Sequence, residues 1–248
     1  MFNETFDTVM HFNCDNKPLP DTDRIDIVTV AFNNKHVIAH QIRLVQKNLL
    51  DGHHYTVADN SADPQKQKEI MQLCHESAAT YVKIPNNPYS GSDPSMSHGM
   101  ALNWIYENYL KPRQAKFFGF LDHDVFPVHP TQIMGFLHNY YVYGLIQERE
   151  ETWYLWPGFC FFQYDYVKDK RVDFRPGGGR DTGGQNWESI YANLDKSKIP
   201  YLIQECVPLL SDGSDVICCG DWLHLYNASN WTKTQDKTEL FNELLNKY

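Results

Sequence analysis

From residue 25 the chain alternates short apolar runs with amphipathic stretches, a pattern that predicts strands joined by helical crossovers in a mostly parallel sheet. Ile25-Asp-Ile-Val-Thr-Val-Ala-Phe32 is the first run, rich in β-branched residues and closed by Asn33-Asn34. Ile38, Ile42, Val45 and Leu49 then recur at helical spacing, and Asp51-Gly52 stops that helix before a second strand, His54 to Asp59. A second helix is expected over about Pro64 to Glu76 and a third strand over Thr80 to Ile84. Leu102, Ile105, Tyr106 and Tyr109 mark one face of a third helix, predicted to end before Pro112 because proline removes a helical N–H. Lys116-Phe-Phe-Gly-Phe-Leu121 is the fourth strand.

The second half has a different pattern. Tyr140 to Ile146 and Thr152 to Tyr166 are aromatic-rich and β-like, with no helix between them, so a hairpin is expected. A Gly-rich loop, Phe174 to Gly184, follows, and such a loop is either mobile or closely approached by a ligand. A short helix over about Asn186 to Leu194, strands near Ile203 and Ile217, and a C-terminal helix from about Asp236 complete the pattern.

The fourth strand ends on Asp122-His123-Asp124. Residues two apart on a strand share a side, so both carboxylates are expected to face one ligand while His123 faces away. Asp21-Thr22-Asp23 is also an Asp-x-Asp triplet, but it lies in a polar stretch with Pro18 and Pro20 and reads as solvated linker. Ligands of open α/β sheets bind beyond the carboxyl ends of the strands, where Asp122 and Asp124 stand.

Composition narrows the classes. The 248 residues, 42% hydrophobic, carry no long polar tract and read as one domain, 1–248. No apolar stretch reaches the length of a membrane span, and residues 1–7 lack a basic or apolar leader region, so a soluble, unexported protein is expected. Cys14, Cys74, Cys160, Cys206, Cys218 and Cys219 show no Cys-x-x-Cys spacing, which fits a reducing cytoplasm. The sequons at Asn3, Asn227 and Asn230 then read as incidental. With 22 basic against 31 acidic residues and a net charge of −9, nucleic acid is not the expected partner. An anionic substrate needs local help, and a bound divalent cation supplies it.

Taken in order, Thr29-Val-Ala-Phe-Asn33, Ala58-Asp-Asn-Ser61, Ser97-His-Gly-Met-Ala-Leu102 and Phe120-Leu-Asp-His-Asp124 resemble the nucleotide-sugar-dependent glycosyltransferases of the GT-A fold, family 2-like and of the Asp-x-Asp metal-binding type. The resemblance covers about residues 25 to 130. It implies an α/β, GT-A-like domain: a mostly parallel central sheet flanked by helices, with a smaller antiparallel sheet on the acceptor side. Residues 25–130 would be the nucleotide-sugar-binding half and 131–248 the acceptor-binding half. It further implies Mn²⁺ or Mg²⁺ at Asp124, with Asp122 nearer the ribose or sugar, and a UDP-, GDP- or dTDP-sugar donor with a saccharide or other hydroxyl acceptor. Asp59 resembles the carboxylate that meets the uracil or ribose, and a turn-capping role is the alternative. Thr29, Ala31 and Asn33 would contact the nucleotide, although Thr29 and Ala31 also suit a core.

His224 is the candidate third metal ligand, against a buried histidine satisfied by a carbonyl. An inverting transferase needs a carboxylate to take the acceptor proton; Asp181 is the first candidate, against ordinary turn chemistry, and Glu188 the reserve. Arg175 and Arg180 would clamp phosphate or remain solvated, and Trp156 is the aromatic expected to meet a sugar. Two rivals are a nucleotidyltransferase of related fold, which lacks its Gly-rich, Lys-containing loop here, and a sugar-nucleotide-binding module without turnover.

Overall fold

The computed structural model describes residues 24–90, 92–226 and 237–248. Asp21-Thr22-Asp23, Cys14, the three sequons and Asp236 lie outside the described residues. Two sheets carry the fold. The larger has strand order β3-β2-β1-β4-β7-β6, with β1 Ile25–Ala31, β2 His53–Asp59, β3 Thr80–Lys83, β4 Phe117–Asp122, β6 Val142–Arg149 and β7 Thr152–Gln163. The smaller has order β5-β10-β9-β8, with β5 Val125–Pro127, β8 Glu205–Val207, β9 Val216–Cys219 and β10 Trp222–His224.

β1 to β4 are mutually parallel, as the alternating pattern predicts. The hairpin β6–β7 extends this sheet antiparallel to β4, so the sheet is mixed and the hairpin is not part of the smaller one. The smaller sheet is antiparallel throughout. The chain runs outward from β1 through β2 to β3 and then returns to the other side of β1 as β4. A crevice therefore opens between the carboxyl ends of β1 and β4, where Val30 is in register with Asp122.

Strand alternation assigns each face. Ile25, Ile27 and Ala31 pack with Ile38, Ile42 and Val45 of α1 (Lys35–Asn48) and with Ile70 of α2 (Pro64–Glu76). Val28 and Val30 face Ala101, Leu102 and Ile105 of α3 (Pro94–Ile105). A third cluster joins Phe126, Leu223 and Leu225 to Leu244 of the C-terminal helix Thr238–Leu245.

The third helix does not stop before Pro112. It passes through a π-helical turn, Tyr106–Leu110, into Lys111–Arg113 and ends at Gln114 in the left-handed region (φ 53°). Pro112 falls in the first turn of that last segment, where a missing N–H costs little. Asn186 to Leu194 likewise forms not a regular helix but a short 3₁₀ turn and a π-helical turn, Trp187–Tyr191.

Candidate active site at the crevice

β4 turns away after Asp122, and residues 123 and 124 form a turn that hands the chain to β5 of the second sheet. The spacing predicts that strand alternation holds both carboxylates on one side; the turn replaces that arrangement, and each meets its own histidine instead. Asp122, on the α3 side, lies 3.2 Å from Nε2 of His98. Asp124, buried, lies 3.6 Å from Nε2 of His224, which β10 brings opposite Val125. His123 points back into the sheet, with Nδ1 3.0 Å from the Val30 carbonyl oxygen.

His224 is 6% exposed and its ring lies 4.7 Å from that of Trp156. Its Nδ1 is buried without a hydrogen-bond partner, so neither a carbonyl nor a carboxylate satisfies it. Trp156 keeps this position because residue 158 is glycine: a Cβ there would stand 2.1 Å from the indole. Among the described residues no three His, Cys, Asp or Glu side chains converge closely enough to hold a metal alone. Asp124 and His224 are brought together and Asp122 is paired separately with His98; carboxylate oxygens and imidazole are nevertheless donor types that Mn²⁺ and Mg²⁺ accept.

At the end of β1, Asn33 adopts a left-handed conformation (φ 56°) that directs its N–H to Ser61 Oγ at 2.7 Å, while its Oδ1 is buried without a partner. Asn60 reaches Ser97 Oγ, and Asn87 holds both Asn60 Oδ1 and the Ser97 carbonyl. Asp59 is fully buried: burial raises its pKa above the ordinary carboxylate value, against hydrogen bonds from Ser61 and Tyr81 that occupy both its oxygens. Thr29 and Ala31 are fully buried on the α1 side of β1. Of the three residues expected on the nucleotide, Asn33 alone is partly exposed.

The Gly-rich loop is anchored to α3 at its root. Asn103 donates to Asp173 and accepts from the Phe174 N–H, and Gly99 lets the backbone of Phe174 and Arg175 come so close that a Cβ would stand 2.7 Å away. The Arg175 guanidinium is committed to Asp173 through two hydrogen bonds, 2.9 and 2.7 Å. Arg180, whose Nε is buried without a partner, is the loop's other guanidinium. Asp181 is exposed; its N–H donates to the Tyr154 hydroxyl and its Oδ1 accepts from the Thr182 N–H. Glu188 is exposed on the π-helical turn. The described cysteines are free thiols, and burial pushes those of Cys74 and Cys219 up to about 12, which makes them poor nucleophiles.

Two contributors escaped the sequence pattern. His98 sits in the Ser97-His-Gly motif but reaches Asp122 only through the fold. Gln41, fully buried on α1, donates to the carbonyls of Asp122 and Val125, both at 2.7 Å, and accepts from the Tyr55 hydroxyl at 2.6 Å. The available signal was its place in the apolar stripe of α1, between Ile38 and Val45.

Solved structures similar to part of this chain include S. aureus TarS (16% identity over 61% of this chain and 30% of that one, TM-score 0.40). Others are the mannosyltransferase PcManGT from Pyrobaculum calidifontis in complex with GDP-Man and Mn²⁺ (11%, 63% and 48%, TM-score 0.40) and LgtC (12%, 58% and 59%, TM-score 0.41). The chain spans between about a third and three-fifths of the length of these proteins. At such distances the similarity is one of partial architecture and fixes no activity. No family model matches the chain, and no curated protein does.

Proposed function

We propose that this chain is a divalent-metal-dependent glycosyltransferase that moves a sugar from a nucleoside diphosphate to an acceptor hydroxyl. The observation that carries the reading is the crevice at the β1–β4 switch point, where Asp122 and a buried Asp124–His224 pair stand at the carboxyl edge of the sheet. Asp122, Asp124 and His224 would hold Mn²⁺ or Mg²⁺, which when bound supplies Lewis-acid stabilisation of the departing diphosphate. His98 orients the Asp122 carboxylate. Asn33, with an unpartnered buried amide oxygen, and the Asn60–Ser97–Asn87 network form the wall for the nucleoside, and Arg180 is the loop cation for its phosphates.

In an inverting transfer, the acceptor oxygen bonds to the anomeric carbon as the bond from that carbon to the diphosphate oxygen breaks, and the diphosphate leaves with the electron pair. The acceptor proton passes to a carboxylate. Asp181, exposed on the loop that faces α3, is the first candidate for that proton, with Glu188 in reserve. Trp156, beside His224, offers a ring face to a sugar.

Titration calorimetry with UDP, GDP, dTDP and CMP, each with Mn²⁺ and with chelator, tests the reading. At least one nucleotide should bind in a Mn²⁺-dependent manner, and Asp124→Ala should abolish that dependence. Mn²⁺-independent binding throughout, or an unchanged Asp124→Ala profile, refutes it.

A further inference from the structure

The two carboxylates leave β4 and enter β5 through one turn, and a single side chain spans that turn from beneath. Gln41 is an amide with two donor hydrogens and one carbonyl oxygen, and all are used: one hydrogen on the last carbonyl of β4, the other on the first of β5, the oxygen on Tyr55. The side chain is fully buried, so water does not compete for these bonds. Seven residues along the same helical stripe, Asn48 donates to the Pro127 carbonyl at 2.8 Å and holds the far end of β5. The apolar stripe of α1 is therefore interrupted at two positions, both of which hold main-chain carbonyls of 122–127.

We propose that Gln41, oriented by Tyr55, is a positioning residue for the metal site: its amide fixes the Asp122–Val125 turn and thereby the separation of the Asp122 and Asp124 carboxylates. The inference rests on the glycosyltransferase reading. A hydrophobic residue in this place would fill the same volume and take the Gln41 donor away from both carbonyls, so the loss falls on the turn and not on the core around it.

The experiment measures UDP and GDP affinity by calorimetry, with Mn²⁺ and with chelator, for the unaltered protein and for Gln41→Met and Asn48→Ala, with thermal unfolding recorded for each. The metal increment is the ratio of the two affinities. Gln41→Met should lower that increment by about tenfold or more, as loss of an outer-shell partner does, while the chelator-side affinity holds. Asn48→Ala, which loses a buried amide-to-carbonyl bond of the same kind, should lower the unfolding temperature and leave the increment unchanged. An increment untouched in Gln41→Met, or lost equally in both variants, overturns the proposal. Should Gln41→Met not fold, Tyr55→Phe removes the orienting phenol alone; a several-fold drop in the increment upholds the proposal and an unchanged increment overturns it. Mn²⁺-independent binding in the unaltered protein overturns the glycosyltransferase reading and this inference with it.

Discussion

Asp173→Asn tests how the Gly-rich loop is held. The Asp173 carboxylate, 4% exposed, accepts from five donors: Asn103 Nδ2, the Arg175 N–H, Nε and Nη2, and Arg171 Nη2. Burial alone would raise its pKa, and the hydrogen bonds from Arg175 and Asn103 outweigh burial and hold it at about 2. The folded value lies below the ordinary 3.8, so the charge contributes stability that is present above about pH 4 and is lost as pH falls through 2. A drop from 3.8 to about 2, at about 1.36 kcal/mol per unit, amounts to about 2 kcal/mol. Arg175 is 42% exposed and recovers solvation when its partner is neutralised, which keeps the loss below the 3–5 kcal/mol of a fully buried broken pair. Asparagine also presents an amide to donors it cannot accept from. The variant should lose about 2 kcal/mol at pH 7, about 4–8 °C in Tm. Urea unfolding across a pH series reads the effect: the gap between variant and parent should stay level down to about pH 5 and close toward pH 2 as the parent carboxylate protonates. A gap under about 0.5 kcal/mol at pH 7, or one that persists undiminished at low pH, refutes the assignment.

Two further outcomes follow from the geometry. Gly158→Ala places a methyl group where the Trp156 indole lies, so the ring must leave His224; near-UV circular dichroism should change while the far-UV spectrum holds, and an unaltered near-UV spectrum contradicts the packing described. Arg113→Met leaves the Asp26 carboxylate, 1% exposed, without the guanidinium 2.8 Å away, and should cost about 3–5 kcal/mol by chemical denaturation; a loss under about 1 kcal/mol would show that the pair is not the buried clamp it resembles.

The parallel units from Ile25 to Asp122 were legible because β-branched runs and helical spacing carry them. The position of Asp122 at a strand end was legible for the same reason. Asp124 lies on a turn and not on a strand: strand periodicity runs on smoothly in sequence past the point where the chain turns into β5, a three-residue strand too short to leave a pattern. The continuation through Pro112 leaves no local signal, because the proline falls in the first turn of a new helical segment that follows a π-helical turn. His98 and Gln41 meet their partners 24 and 81 or 84 positions away, and no local pattern encodes such a meeting. Arg175 illustrates the converse: a cation in a glycine-rich loop looks available in sequence, and a buried aspartate two residues earlier has already claimed it.

Asp122 closes a strand of the larger sheet, whereas Asp124 is tied by its own carbonyl to Leu225 and by its carboxylate to His224, both set by the smaller one. The distance between the carboxylates is accordingly a gauge of how the two sheets sit against each other. Phe159 and Trp222, whose rings meet at 4.9 Å between β7 and β10, lie inside that joint. Truncating either ring would reset the gauge from within the core, and, under the metal-binding role proposed for the pair, its selectivity among divalent ions of different radius would shift with no ligand altered.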